Sequence, residues 1–110
     1  MSEHVHNTRV AVIGAGSWGT ALANLLAAKG YEVRLWARTQ RLAQHMARER
    51  ENALYLPGVP LHSRLTLTAD FSEAAYATTT FISVVPSHVV RTVWGMLTPL
   101  LPASALLVSA

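Results

Sequence analysis

Cysteine is absent from the 110 residues, so the chain has neither a disulfide framework nor a thiolate metal site. Charge is sparse too: 14% of the residues carry it while 51% are apolar, a balance that excludes intrinsic disorder. No apolar run reaches the ~18 residues of a membrane span before glycine, proline or a charge interrupts it. The N-terminal MSEHVHNTR lacks the apolar core of a signal peptide. Nine basic residues against six acidic ones are scattered, without the basic run or aromatic interleaving of a nucleic-acid surface. His4, His6, His45 and His62 share no metal-ligand spacing, so no metal site is expected. What survives these exclusions is one folded domain, expected in the cytoplasm, with neither nucleic acid nor a membrane span in its biology.

Short continuous apolar runs alternate with helical patterns, the signature of consecutive βαβ units and of a parallel sheet covered on both faces. The pattern predicts strands at Arg9 to Ile13, Glu32 to Ala37, Leu65 to Thr68, Thr80 to Val85 and Ala105 to Ser109. A first helix is predicted from Ser17 to Lys29, with Ala21, Leu22, Leu25 and Leu26 as its apolar face and Gly30 as its stop. A second covers Thr39 to Arg48, and a third Ser72 to Tyr76, where Asp70 and Glu73 stand at capping-box spacing. A fourth follows Ser87 and carries Val89, Val90, Val93, Trp94 and Leu97 as an apolar stripe before Pro99. Asn52 to Arg64, with two prolines and a glycine, is expected to be an ordered loop. The fold class is therefore α/β, a Rossmann-type doubly wound and mostly parallel sheet.

Gly14, Gly16 and Gly19 form G-x-G-x-x-G directly after the first strand and directly into the first helix. Gly14 permits the tight turn, Gly16 lets a diphosphate approach the backbone, and Gly19 lets the helix pack close on the sheet. The amides of Ser17, Trp18 and Gly19 then meet an anion at the positive end of the helix dipole. The competing reading is a tight turn with no ligand. The acid expected about 20 residues later, on the ribose 2′-hydroxyl, is missing. No carboxylate lies between Glu32 and Glu49, and the second strand runs into Arg38. Arginine there suits a 2′-phosphate and stacks on adenine, which favours NADP(H) and leaves NAD(H) open. Arg34 and Arg41 are taken as exposed surface residues.

The fourth strand runs into Val84-Val85-Pro86-Ser87-His88, beside the crevice where strand order should reverse, and Pro86 is placed on the nicotinamide side of the site. His88 has no visible carboxylate partner and receives no catalytic role. Trp18 and Trp36 are expected to flank the site.

Taken in order, GAGSWGTALA, LWAR, NALYLPG and VPSH resemble the NAD(P)-dependent glycerol-3-phosphate dehydrogenases, the bacterial members most closely, from Arg9 to Ser109. The family pattern Asn-x-x-Tyr-Leu-Pro-Gly-x-x-Leu-Pro is met at Asn52, Tyr55, Leu56, Pro57, Gly58 and Leu61, with His62 in place of the last proline. Taken alone, that loop is a proline-glycine turn with a packed tyrosine.

The resemblance implies interconversion of dihydroxyacetone phosphate and sn-glycerol 3-phosphate with NAD(P)H, for glycerophospholipid synthesis. It places Ser17 and Trp18 on the cofactor phosphates, Arg38 at the adenosine end, and Tyr55 as a further contact. It also puts the catalytic lysines after the fifth strand and on a helical second domain, so no catalytic residue is expected in this chain; Lys29 matches neither lysine. Residues 1–110 are accordingly read as a dinucleotide-binding domain truncated after strand five, the N-terminal part of a larger two-domain protein. By itself this piece should bind cofactor weakly and turn nothing over; a homodimer is open to the full-length protein. Two alternatives stand beside this reading: another NAD(P)-dependent reductase, of ketopantoate reductase or hydroxyacid dehydrogenase type, and a non-catalytic nucleotide-sensing module.

Overall fold

The first strand is apolar on both faces: Val10 and Val12 enter one core cluster, Ala11 and Ile13 the other, and all four are buried. A strand with no wet face belongs in the middle of a sheet covered on both sides. The computed structural model of the chain, which describes residues 9–85, 91–92, 94–95, 98–100 and 106–109, places it there. The elements are β1 (Arg9–Ile13), α1 (Ser17–Ala28), β2 (Glu32–Trp36), α2 (Gln40–Glu49), β3 (Glu51–Asn52), β4 (Leu56–Pro60), β5 (Leu65–Thr68), α3 (Phe71–Ala75), β6 (Thr80–Ser83), a 3-10 turn (Thr98–Leu100) and β7 (Leu106–Ser109).

Five strands form one sheet in the order β5-β2-β1-β6-β7, with every neighbouring pair parallel. The order reverses between β1 and β6, which creates the crevice where folds of this kind take their ligands. Ile13 stands level with Trp36 on β2 and with Ser83 on β6. The ends of β1, β2 and β6 therefore leave the sheet side by side. Val84 extends the ladder one residue further by donating to the Ile13 carbonyl at 2.8 Å.

α1 and α2 cover one face, through Ala23, Ala27, Ala43 and Met46, and α3 covers the other through Ala74 and Ala75. The buried side of α1 is not the expected leucine face. Gly19, Thr20, Ala23 and Ala27 are its buried residues, while Leu25 is exposed and Ala21, Leu22 and Leu26 are half-buried. Small side chains let the helix axis come close to the sheet, and that approach outweighs burying leucine at a greater distance. Thr39 caps α2 by accepting from the Leu42 amide at 3.2 Å, and Arg50 ends it in a left-handed conformation.

Three further expectations are corrected. Asp70 caps α3 by accepting from the Ser72 amide, but the reciprocal half of the capping box is taken by Thr68, whose hydroxyl accepts from the Asp70 amide at 3.0 Å. Arg34 is no idle surface arginine. Its guanidinium donates to the carbonyls of Glu73 and Tyr76, satisfying the C-terminal end of α3 across the sheet, and lies over the Tyr76 ring. The segment after Asn52 is not a plain loop either: β3 and β4 pair antiparallel, the tight turn is Ala53-Leu54-Tyr55, and Pro57 and Gly58 lie within β4. Gly58 sits at φ +83°, and its amide donates to the Glu51 carboxylate.

Ser87, Val89, Val90, Val93 and Leu97 of the fourth predicted helix lie outside the described residues. Trp94 packs on the second core cluster and donates its indole N–H to Ser83 Oγ at 3.1 Å. Among the described residues no helix is long and apolar enough to cross a membrane.

Candidate functional site: the cleft at the first helix

The turn between β1 and α1 opens onto a cleft of about 1210 Å³. Residues 14–19 form one wall, Leu54 and Tyr55 another, Val84 and Val85 a third, and the exposed side of α2 closes the far end. Of the residues predicted to bind cofactor, Gly14, Gly16, Ser17, Trp18, Gly19, Arg38 and Tyr55 all line this one cleft. Pro86 and His88 lie outside the described residues, although the backbone leading to them, Val84-Val85, does line it.

The three glycines differ in what holds them. Gly14 has φ +126°, and a Cβ there would stand 2.8 Å from the Val84 carbonyl oxygen, so both its conformation and its neighbour require glycine. At Gly19 a Cβ would coincide with the Gly14 carbonyl oxygen. Gly16 is the reverse case: φ −78° and ψ −167° suit any residue, and a Cβ would meet nothing within 4 Å. Glycine there is required by neither backbone nor packing.

No side chain caps α1. Among the described residues the amides of Gly16, Ser17, Trp18 and Gly19 have no protein acceptor, and the first helical bond is closed by Thr20 onto the Gly16 carbonyl at 3.0 Å. These donors face the cleft at the positive end of the helix, a ready site for an anion. Trp18 extends over its mouth, 60% exposed, but Trp36 does not flank it. The Trp36 ring is 6% exposed, stacks on Phe71 with centroids 4.5 Å apart, and donates to the Ala69 carbonyl on the α3 side of the sheet.

The Tyr55 turn is fastened to the glycine turn by residues the sequence offered only as a motif. Asn52 is fully buried; its amide nitrogen donates to the Ala15 carbonyl and to Thr20 Oγ1, both at 2.9 Å, and its oxygen accepts from the Tyr55 amide at 3.2 Å. Ser17 Oγ donates to the Tyr55 carbonyl at 2.6 Å. Asn24 adds a third tie, donating to the Pro60 carbonyl and accepting from the His62 amide at 2.7 Å.

At the far end of the cleft the charge is of one sign. Arg38, Arg41 and Arg48 line it beside His45, and no Asp or Glu does. Arg48 pairs with Glu49 at 3.2 Å on the open surface, a contact worth little. Arg38 and Arg41 make no side-chain hydrogen bond or ion pair among the described residues. Arg41 therefore belongs to the cleft rather than to idle surface. The signal for it was in the sequence: 41, 45 and 48 fall on one side of a helix. Unpaired amides at one end, unpaired guanidiniums at the other and an open space over Gly16 fit a ligand with two anionic centres.

Sheet order, crevice and glycine turn together define an α/β domain of the Rossmann type. The profile of the NAD-dependent glycerol-3-phosphate dehydrogenase N-terminus matches residues 9–110, and the chain belongs to that family. It is 51% identical over 102 residues to a glycerol-3-phosphate dehydrogenase (NAD(P)+) of Citrifermentans bemidjiense, covering 93% of this chain and 30% of that protein. The crystal structure of glycerol-3-phosphate dehydrogenase from Coxiella burnetii aligns with a TM-score of 0.90 and 36% identity, over 94% of this chain and 32% of that one. A ketopantoate reductase from Ralstonia eutropha aligns with a TM-score of 0.72 and 25% identity, over 91% and 33%. The chain thus spans about 30% of the length of the curated relatives it matches.

Proposed function

We propose that the chain is the cofactor-holding part of an NAD(P)H-dependent enzyme that interconverts dihydroxyacetone phosphate and sn-glycerol 3-phosphate. The diphosphate rests on the amides of Gly16, Ser17, Trp18 and Gly19, and the adenosine end reaches Arg38 and Arg41. One observation carries this reading: Gly16 is glycine where fold and backbone tolerate any residue, so the space over it is reserved for a ligand. The absence of any carboxylate in the lining favours NADP(H), because a ribose 2′-phosphate meets Arg38, Arg41 and Arg48 there and no acid. Family membership favours this substrate pair over that of the ketopantoate reductases.

When bound, the nicotinamide supplies a hydride to the carbonyl carbon. This chain's own work is positional: the glycine turn fixes the diphosphate, and Val84 and Val85 wall the cleft on the β6 side. The cation that polarises the carbonyl comes from elsewhere. Lys29, the only lysine, follows the last residue of α1, about 18 Å along the helix from the turn.

Trp18 makes the binding reading measurable. NADPH and NADH should each quench its fluorescence saturably, NADPH about tenfold more tightly, as expected for a charge-assisted contact. Arg38→Ala and Arg41→Ala should each narrow that ratio by weakening NADPH more than NADH. No saturable signal with either nucleotide overturns the cofactor reading, and equal affinities in the parent protein overturn the preference.

A further inference from the structure

Asn52 holds the Ala15 carbonyl at 2.9 Å from the buried side of the glycine turn. The peptide joining Ala15 to Gly16 is trans, like every other described here, so its N–H points opposite to its C=O. A carbonyl held inward therefore sends the Gly16 amide the other way, toward the cleft that Gly16 lines. Rotation of that one peptide would exchange a donor for a carbonyl oxygen at the mouth of the anion site. Gly16 makes such rotation easy, because glycine lacks the Cβ that would resist it.

The same side chain is anchored on two other sides. Thr20 Oγ1 accepts its second N–H at 2.9 Å from within α1, and its oxygen takes the Tyr55 amide. The Asn52 amide group is thus fixed by three groups of the protein and is not free to follow the Ala15 carbonyl elsewhere.

We infer that Asn52 is a positioning residue: it aims the Gly16 amide at the diphosphate by holding the Ala15 carbonyl inside the fold. This rests on the reading that the turn takes a diphosphate, and deepens it. Asn52 touches no ligand itself; it acts through the peptide it restrains. The consequence is selective. Ligands with a diphosphate depend on Asn52, and ligands that use only the arginine end do not.

The test compares NADH, which has the diphosphate but no 2′-phosphate, with adenosine 2′-monophosphate, which has the reverse. In Asn52→Asp the side chain keeps its shape and its acceptor for Tyr55 but loses both N–H donors, to Ala15 and to Thr20 Oγ1, and carries a buried carboxylate; Thr20→Val tells the two lost bonds apart. NADH affinity should fall about tenfold or more, the loss expected for a donor to a charged group, while adenosine 2′-monophosphate binds as in the parent. Thr20→Val removes the other tie and leaves the Ala15 bond in place, so its NADH affinity should stay within about twofold of the parent. Independently of any variant, the Gly16 amide proton of the 15N-labelled parent protein should move downfield on addition of NADH. Equal NADH binding by parent and Asn52→Asp overturns the inference alone, as does an equal loss in Thr20→Val or an unmoved Gly16 resonance. A parent protein that does not bind NADH overturns the inference together with the cofactor reading.

Discussion

The floor of the glycine turn and its mouth use the same residue for opposite reasons. On the floor, Gly14 and Gly19 face each other: a side chain on Gly19 would occupy the place of the Gly14 carbonyl, and one on Gly14 would press on the Val84 carbonyl. The protein's own backbone forbids anything larger. At the mouth, Gly16 has an ordinary conformation and empty space before it. The difference teaches how to divide a sequence motif into the part a fold needs and the part a ligand needs. The floor glycines bring α1, β1 and β6 together; the mouth glycine keeps a surface clear.

The sharpest way to break this division is to add one methyl group on each side. Gly19→Ala should have the largest effect. Its Cβ displaces backbone rather than a flexible side chain, so α1 must move off the sheet. Overpacking against a rigid neighbour costs about 3 kcal/mol, of which the better helix propensity of alanine returns up to about 1 kcal/mol. A net loss of about 2–3 kcal/mol corresponds to roughly 10–20 °C in Tm for a domain of this size, read by thermal unfolding. If Gly19→Ala melts within about 2 °C of the parent, the floor is not as closely packed as the geometry requires.

Gly16→Ala should behave in the opposite way. Reduced freedom in the unfolded chain favours alanine by about 0.4–1 kcal/mol, and the poorer N-cap preference of alanine offsets a similar amount. Stability should therefore stay within about 0.5 kcal/mol of the parent, while NADH and NADPH affinity both fall about tenfold as the methyl group meets the diphosphate. Unchanged affinity would mean that no ligand occupies the space over Gly16. The pair of substitutions thus separates floor from mouth by two measurements, a melting curve and a titration.

What the sequence disclosed follows the same line. The strands of the parallel sheet were legible because a strand buried on both faces is a continuous apolar run, and the floor and mouth glycines were legible because their spacing is local. The contact face of α1 was not. Its buried stripe is Gly19, Thr20, Ala23 and Ala27, residues too small and too mixed to mark a hydrophobic face, while the leucines that did mark one stay partly in solvent. Asn52 and Arg34 were illegible for another reason. The groups that Asn52 donates to lie 32 and 37 residues away and those of Arg34 39 and 42, and no periodicity reports a side chain that bonds so far along the chain. The β3–β4 hairpin was hidden by Pro57, Gly58 and Pro60, which read as loop, yet β4 pairs on only one side and so tolerates prolines on its free edge. Trp36 was placed by its neighbours in the chain, whereas the alternation of a strand sends it to the face opposite Leu35.

The smallest expected effect lies at the one point where the chain departs from its family's loop pattern. His62 stands where that pattern has proline, and the structure gives its backbone N–H a partner: it donates to Asn24 Oδ1 at 2.7 Å, fastening the end of the hairpin to α1. Its ring adds a second bond, with Nδ1 accepting from the Arg64 amide at 3.2 Å. Proline has no N–H and no imidazole, so His62→Pro removes both. Each bond contributes about 1 kcal/mol at most here, because Asn24 and His62 are only half-buried and water can take the vacated acceptor. The carbonyl of residue 62 keeps its own donors, Arg50 Nη2 at 2.6 Å and the Leu65 amide at 3.0 Å, which hold the turn in place. The expected outcome is a loss of about 1 kcal/mol, a few degrees in Tm, with NADH affinity unchanged because none of these groups lines the cleft. A fall in NADH affinity without a fall in Tm would show that the hairpin's outer end is coupled to the mouth of the turn, and that the Asn52 tie is not enough to set the position of Tyr55 alone.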